Sequence, residues 1–515
     1  LKGWYKGWVK SLLAIVLIAA LVYVGVLIGV KYRLNQYLAA KEEQGVPVRY
    51  QKLKLKLFEG TATFIAPDLT LKKELKAGYT GTLRFESIKI KDIGYIKLLW
   101  TGNLTIDYIE LKQLNGLLIK GETKSVTENK STEKSDELGF AIKLKELILT
   151  HANLTVLNQN EKRPLATLSD FNLEIEDILV SSRTLEKSFP FTGNSYAITS
   201  GPVYLKATAY EDLTLQSISG DSNYTVIKDI SYQTVLPPED FSKGLAVERD
   251  HYNITIDSLS FTQLQLTERQ KDSLGIAAEH INLHQPYIKI HRNKLVAEDS
   301  RYKPMYGELL RKAPIAIQVN HFNFYNTYLA YTEKTKDFND GGILTFEDME
   351  VEIQNLGNTY SSPLKLHFET QFMGAGKFDA DWTFNVRDTT EAFVFKGRLV
   401  DFDMRKVNSF TKPVANTELE GNMSELYFTI DGHNYQSTTN LKARYTDLGV
   451  YLIQPNSGKR KAIINTILNL FLPSNSQKKE EPFKTSATKL QRDVSRSPFN
   501  FVYKSLEKGL QEAML

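Results

Sequence analysis

The chain has 515 residues, with 64 Lys and Arg against 60 Asp and Glu, and no cysteine. A net charge of +4 is too evenly balanced for the concentrated basic surface that nucleic acid requires. Without cysteine, disulfides, thiolate catalysis and Cys-bound zinc are excluded, and the setting of a bacterial envelope is favoured over a disulfide-bonded secreted ectodomain.

Ser11 to Val30 reads SLLAIVLIAALVYVGVLIGV, a run without a charge. At about 1.5 Å per residue it spans roughly 30 Å, the thickness of the hydrocarbon core, and predicts a membrane anchor. Lys2, Lys6 and Lys10 in the tail 1–10 predict a cytoplasmic N-terminus with the body outside. The alternative, a cleaved signal peptide, normally has an apolar core of about 7–15 residues followed by a small-x-small site. Residues 31–46 read as a short stem.

Strands begin near Tyr50, where Lys52, Lys54 and Lys56 alternate with Leu53, Leu55 and Leu57. Then one pattern recurs: apolar, any, apolar, any, any, apolar, any, apolar. Its copies are Leu83, Phe85, Ile88, Ile90; Leu104, Ile106, Ile109, Leu111; Ile142, Leu144, Leu147, Leu149; and Ala166, Leu168, Phe171, Leu173. They continue as Ile254, Ile256, Leu259, Phe261; Ile276, Ala278, Ile281, Leu283; Ile317, Val319, Phe322, Phe324; and Leu344, Phe346, Met349, Val351. At about 100° per residue these positions share no helical face. In a strand each pair shares a face, and the two-residue polar step changes the phase. A β-bulge in that step restores the phase and bends the strand.

These patterns predict a β region at 47–120 and a main β region at 139–453. Between them, residues 121–138 (GETKSVTENKSTEKSDEL) are too polar to bury a core and predict a disordered insertion. Phe402 to Phe410 predicts one or two helical turns joining strands. Beyond 453 the pattern turns helical: 454–515 predicts amphipathic helices, with Phe499, Val502, Leu506 and Leu510 at helical spacing. Lys459, Arg460 and Lys461 lead an apolar stretch there, and suit either a membrane surface or a cap on the β-structure.

No motif for catalysis or cofactor binding stands out: the chain has no phosphate loop and no nucleophile elbow. His280 and His284 have a helical ligand spacing, yet in a strand they stand about 13 Å apart, too far for one metal. Asp379 with Asp381, and Asp401 with Asp403, could hold a cation. The alternation around Asp379 and Asp381 reads instead as the wet face of a strand.

The anchor, the entry VRYQKLKLKLFEG at 48–60 and the repeated strands resemble AsmA-like proteins of Gram-negative envelopes. So do FVFKGRLVDFDMRKVN at 393–408, LEGNMSELYF at 419–428, YTDLGV at 445–450, and Arg492-Asp493 with SPFN at 497–500. The similarity is to Bacteroidetes-type members, with the C-terminal AsmA-like region at about 364–453. The resemblance implies an elongated, strongly curved antiparallel β-groove of the chorein-like lipid-transfer kind. It also implies an inner-membrane anchor at 11–30, a periplasmic body, and phospholipid acyl chains on the apolar face. It supplies no catalytic residue and no cofactor.

The expected function is therefore phospholipid binding or conduction in support of outer-membrane biogenesis, with an envelope partner at the C-terminal end. Candidate groove residues are Leu83, Phe85, Ile88, Ile90, Leu104, Ile106, Ile142, Leu144, Ile254, Ile256, Ile317, Val319, Phe322, Phe324, Leu344 and Phe346. A β-sandwich scaffold without lipid needs the same alternation and is the alternative.

Overall fold

The computed structural model describes residues 42, 45–56, 59–72, 78–92, 106–121, 142–161, 163–180, 195–269, 273–454, 460–462 and 483–514. The expected anchor at 11–30, residues 122–138 of the polar insertion, Leu104 and Lys459 lie outside these. Among the described residues no helix is long and apolar enough to cross a membrane.

The chain is mostly β, as the alternation predicts. In order the strands are β1 (Val48–Arg49), β2 (Lys52–Lys56), β3 (Thr61–Ile65), β4 (Asp68–Leu71), β5 (Tyr79–Arg84), β6 (Ser87–Lys91), β7 (Tyr108–Lys112) and β8 (Asn115–Lys120). A long hairpin follows, β9 (Ile142–Asn158) and β10 (Pro164–Val180), then β11 (Ser195–Ser200), β12 (Val203–Lys206), β13 (Glu211–Leu215), β14 (Ser217–Asp221) and β15 (Tyr224–Thr234). Next come β16 (Asp250–Thr262), β17 (Gln265–Arg269), β18 (Ser273–His284) and β19 (Tyr287–Asn293). The remainder are β20 (Ala316–Lys334), β21 (Gly342–Gly357), β22 (Leu364–Phe372), β23 (Gly376–Phe384), β24 (Phe393–Asp403), β25 (Thr417–Gly432), β26 (Gln436–Ile453), β27 (Arg460–Ala462) and β28 (Lys484–Gln491). Helices are α1 (Pro238–Lys243), α2 (Tyr306–Arg311), α3 (Asn408–Ala415) and α4 (Pro498–Met514). Two compact units result: the chain through Ile230 with Thr262–Gly275, and Ser231–Phe261 with Ile276 onward.

In the first unit, the two halves of β9 run parallel to β7 and to β8, and the two halves of β10 run antiparallel to β11 and to β12. The neighbours change at a corner where both long strands carry a left-handed residue, His151 (φ 52°) and Asp170 (φ 45°). Side chains replace the ladder bonds lost there. The backbone N–H of His151 donates to Asn172 Oδ1 at 2.8 Å, that of Asp170 donates to Asn153 Oδ1 at 3.1 Å, and the two side chains meet at 2.7 Å.

The same device bends the hairpin β20–β21, with left-handed Asn326 and Asp348, and β25–β26, with Gly421 and Asp447. Asp170 and Asp348 fall in the two-residue polar step, as the pattern predicts. In the copies ending at Ile90, Leu111, Leu149, Phe261, Leu283 and Phe324 the left-handed residue instead falls two positions later, at Asp92, Gln113, His151, Gln263, Gln285 and Asn326. Register explains the correction. Pair Leu149–Leu173 sets the ends of two copies against each other, so the residues just past one copy, such as Ala152, face the middle of the next at Phe171, and both strands must bend along one line.

The sheet is mixed, which corrects the expected antiparallel one. β19 runs parallel to β20 with every partner 41 positions on, from Tyr287–Tyr328 to Asn293–Lys334. Copies with the same apolar spacing stack in register because that places like side chains on one face. The helical reading of 454–515 is also corrected. β27 pairs with Tyr451–Ile453, and β28, with polar residues on alternate positions, pairs with Gln436–Ala443; α4 is helical as expected. Helix α4 lays Phe501, Val502, Leu506, Leu510 and Ala513 on the core of the second unit. Gly509 allows the close approach, since a Cβ there would stand 3.1 Å from the Thr439 methyl.

A candidate apolar binding face

The structure divides the groove candidates into two groups. Leu83, Phe85, Ile88, Ile90, Ile106 and Leu144 are fully buried in the core of the first unit, together with Phe64, Leu69 and Leu111. They touch protein all round and offer no open wall. The ladder of β2, β3, β6 and β7 and the ladder of β4, β5 and β8 share this one core, so the apolar face there is closed by protein. Leu104 and the side chain of Ile142 are outside the described residues.

Ile254, Ile256, Ile317, Phe322, Phe324, Leu344 and Phe346 are half-buried, and Val319 is buried. Register joins most of this group into a strip across the second unit. One row runs Ile254–Ile288–Leu329–Phe346–Phe372 through β16, β19, β20, β21 and β22. Beside it runs Tyr252–Ile290–Tyr331–Leu344. Past the corner, Phe322–Ile353–Leu366–Trp382–Phe395–Ile430 and Phe324–Val351–Phe368–Ala380 continue the strip. Phe322 and Phe324 meet edge to face, with centroids 5.0 Å apart. Burial deepens along the strip. Leu329, Phe346 and Ile353 are half-buried, whereas Trp382, Phe395 and Ile430 are buried in the core that α4 completes. Ile288, Ile290, Leu329, Leu366 and Phe368 were not among the sequence candidates. The alternation in YIKIHRN and LKLHFETQF carries the signal of Ile288, Ile290, Leu366 and Phe368, without the eight-residue pattern, and Leu329 follows the copy in β20.

Ion pairs close one rim of the strip. Arg292 Nε meets Asp250 at 2.6 Å and Lys294 meets Glu248 at 2.9 Å, beside Tyr252 and Tyr331. Burial, then the Asp250 carboxylate, pushes the Tyr252 phenol up to about 12. The opposite face of the sheet is polar and ordered. His280 stacks on His321 at 4.9 Å, His284 on Tyr325 at 5.0 Å and Tyr287 on Tyr328 at 4.8 Å. Each histidine thus has a ring partner, and among the described residues no group of three ligating side chains could hold a metal. One aspartate of each pair has a local partner. Asp403 caps a short 3-10 turn, Met404–Val407, through the Arg405 N–H at 3.0 Å. Asp381 bonds His367 at 2.9 Å, and Glu369 lies 3.4 Å from the other ring nitrogen.

Partial burial pulls the His367 imidazole down, but the bonds to Asp381 and Glu369 outweigh it and hold its pKa above the usual histidine value. The sign follows: this pairing contributes stability below the unfolded-state pKa and loses it as pH rises through the folded one. In an NMR titration the His367 ring should therefore titrate above about 6.5. Asp381→Asn should lower that midpoint, and an unchanged midpoint would remove Asp381 as the cause.

Neither the protein-family models nor the curated proteins searched match this chain.

Proposed function

We propose that the chain is a non-enzymatic, membrane-anchored envelope protein that holds or conducts phospholipid acyl chains on the apolar face of its second unit, in support of outer-membrane biogenesis and lipid homeostasis. The strip from Ile254 through Leu329 to Phe346 carries the reading. Contiguous large apolar side chains stay half-exposed there, while polar residues on the alternate positions face away. Exposed apolar surface of this continuity marks a binding face. Acyl chains fit it without demanding shaped pockets or hydrogen-bond donors. The uncharged run 11–30 places the body beside its lipid source, with the N-terminus in the cytoplasm and the body in the periplasm.

Native mass spectrometry of the purified full chain is the test. Copurifying phospholipid at a fixed ratio supports the reading, and none under conditions that preserve the fold sinks it. A second reading, a scaffold that carries no lipid, draws support from the closed core of the first unit. A reporter active only outside the cytoplasm, fused after Leu515, should be active; activity confined to the cytoplasm would overturn the orientation.

A further inference from the structure

The outward positions of β21 to β28 are charged in blocks. Register sets Glu350, Glu369 and Asp379 side by side on β21, β22 and β23, and continues the row with Arg398, Tyr427 and Lys442 on β24, β25 and β26. The neighbouring row reads Glu352, His367, Asp381, then Lys396, Thr429, Asn440. Glu350, Glu369, Asp381, Lys396, Arg398 and Lys442 are exposed.

Like charges directly across a ladder destabilise it, so three carboxylates in line break a local rule. Among the described residues two histidines meet this block: His367 bonds Asp381 and Glu369, and His321 lies 3.8 Å from Glu352. Lys365 and Lys377, on the same outward face, form no ion pair among the described residues. Opposite them the cations lean on rings. Lys442 Nζ lies 4.6 Å from the Tyr427 centroid and 5.0 Å from that of Phe483, Arg444 lies 4.3 Å from Phe483, and Arg398 lies 5.7 Å from Tyr427. Glu425, which bonds the Tyr427 hydroxyl at 3.1 Å, is the carboxylate inside this basic block.

We propose that this outer face docks on the same face of a second copy of the chain, about a two-fold axis running along the strands between β23 and β24. The argument is charge complementarity. That axis turns the acidic block of one copy onto the basic block of the other, and the rows then match position by position. Asp379 meets the second copy's Arg398, Glu350 its Lys442 and Asp381 its Lys396, while Glu369 faces its Tyr427. Each pair occurs twice, as an isologous contact requires. The six strands β21 to β26 at about 4.8 Å and roughly nine residues at about 3.4 Å give a face near 900 Å². That matches the roughly 800 Å² per partner of a stable interface. Tyrosine and arginine, which dominate binding hot spots, sit at its middle.

The test is the mass of the full chain in detergent, by light scattering or native mass spectrometry, at low and high salt. The expected result is a dimer at low salt that dissociates by at least tenfold in Kd as salt rises. Arg398→Glu alone and Asp379→Arg alone should each be monomeric, with the thermal midpoint lowered only slightly by the like-charge pair that each change sets across β23 and β24. Mixing these two variants should restore a one-to-one dimer, because every Asp379–Arg398 contact is then between opposite charges. A monomeric parent, a dimer that survives either single reversal, or a mixture that stays monomeric overturns the proposal. So does a monomer whose Arg398 and Lys442 bind vesicles of anionic phospholipid.

Discussion

Phe322→Asp should leave the protein folded and strip it of phospholipid, whereas Ile90→Asp should not fold at all. Both positions belong to the same repeated pattern, and both changes place a carboxylate on an apolar face. At Phe322 the ring is half-buried and contacts Phe324, and the new carboxylate can reach solvent. The loss of packing costs about 1–2 kcal/mol. Among acyl chains the carboxylate would be desolvated, so lipid occupancy should fall several-fold. At Ile90 the side chain is 0% exposed and surrounded by the first-unit core. An unpaired charge there costs several kcal/mol, comparable to a typical total stability of about 5–15 kcal/mol. Thermal midpoint and copurifying phospholipid, measured on both variants, decide the matter. A Phe322→Asp protein that unfolds would show that face to be packed rather than open.

The second large effect is expected at Gly81. Its φ of 147° is a conformation that side chains rarely adopt, and a Cβ there would stand 2.0 Å from the Leu117 carbonyl oxygen on the paired strand β8. Neither backbone can retreat without breaking the ladder that joins β4, β5 and β8. Gly81→Ala should cost more than about 3 kcal/mol, combining backbone strain with the clash. Gly78→Ala is the control. Its φ is also positive, at 75°, but nothing lies within 4 Å of the added carbon, so only about 1 kcal/mol is at stake. Equal urea midpoints for the two variants would refute the steric argument.

Alternation makes the β character legible along the chain, and the polar step marks the bends at Asp170 and Asp348. The bends at His151 and Asn326 are not legible, because they answer to the residues they face across a hairpin. The depth of the apolar face is hidden for a related reason. Ile88 and Ile90 carry the same letters as Ile254 and Ile256, yet the first pair is enclosed and the second half-open. What covers a face depends on which distant strands fold over it, and no local pattern records that. The carboxylate row Glu350–Glu369–Asp379 is likewise invisible along the chain, where each acid is an ordinary polar position in its own strand. Helix 498–514 is legible from its own spacing, whereas Lys484–Gln491 becomes a strand because the edge of β26 is there to pair with it.

The 41-residue offset between β19 and β20 has a bearing on how such a chain changes size. Ile276, Ala278, Ile281, Leu283 and Tyr287 reappear as Ile317, Val319, Phe322, Phe324 and Tyr328, the last lying directly beside its counterpart. The two blocks meet edge to edge in parallel, with like positions side by side. A duplicated block could be inserted without rewriting its neighbours, and would widen the sheet by one strand spacing, about 4.8 Å. Reach then becomes a matter of counting: evolution, or a designer, can lengthen the molecule in whole steps by copying a segment, and the apolar strip lengthens with it.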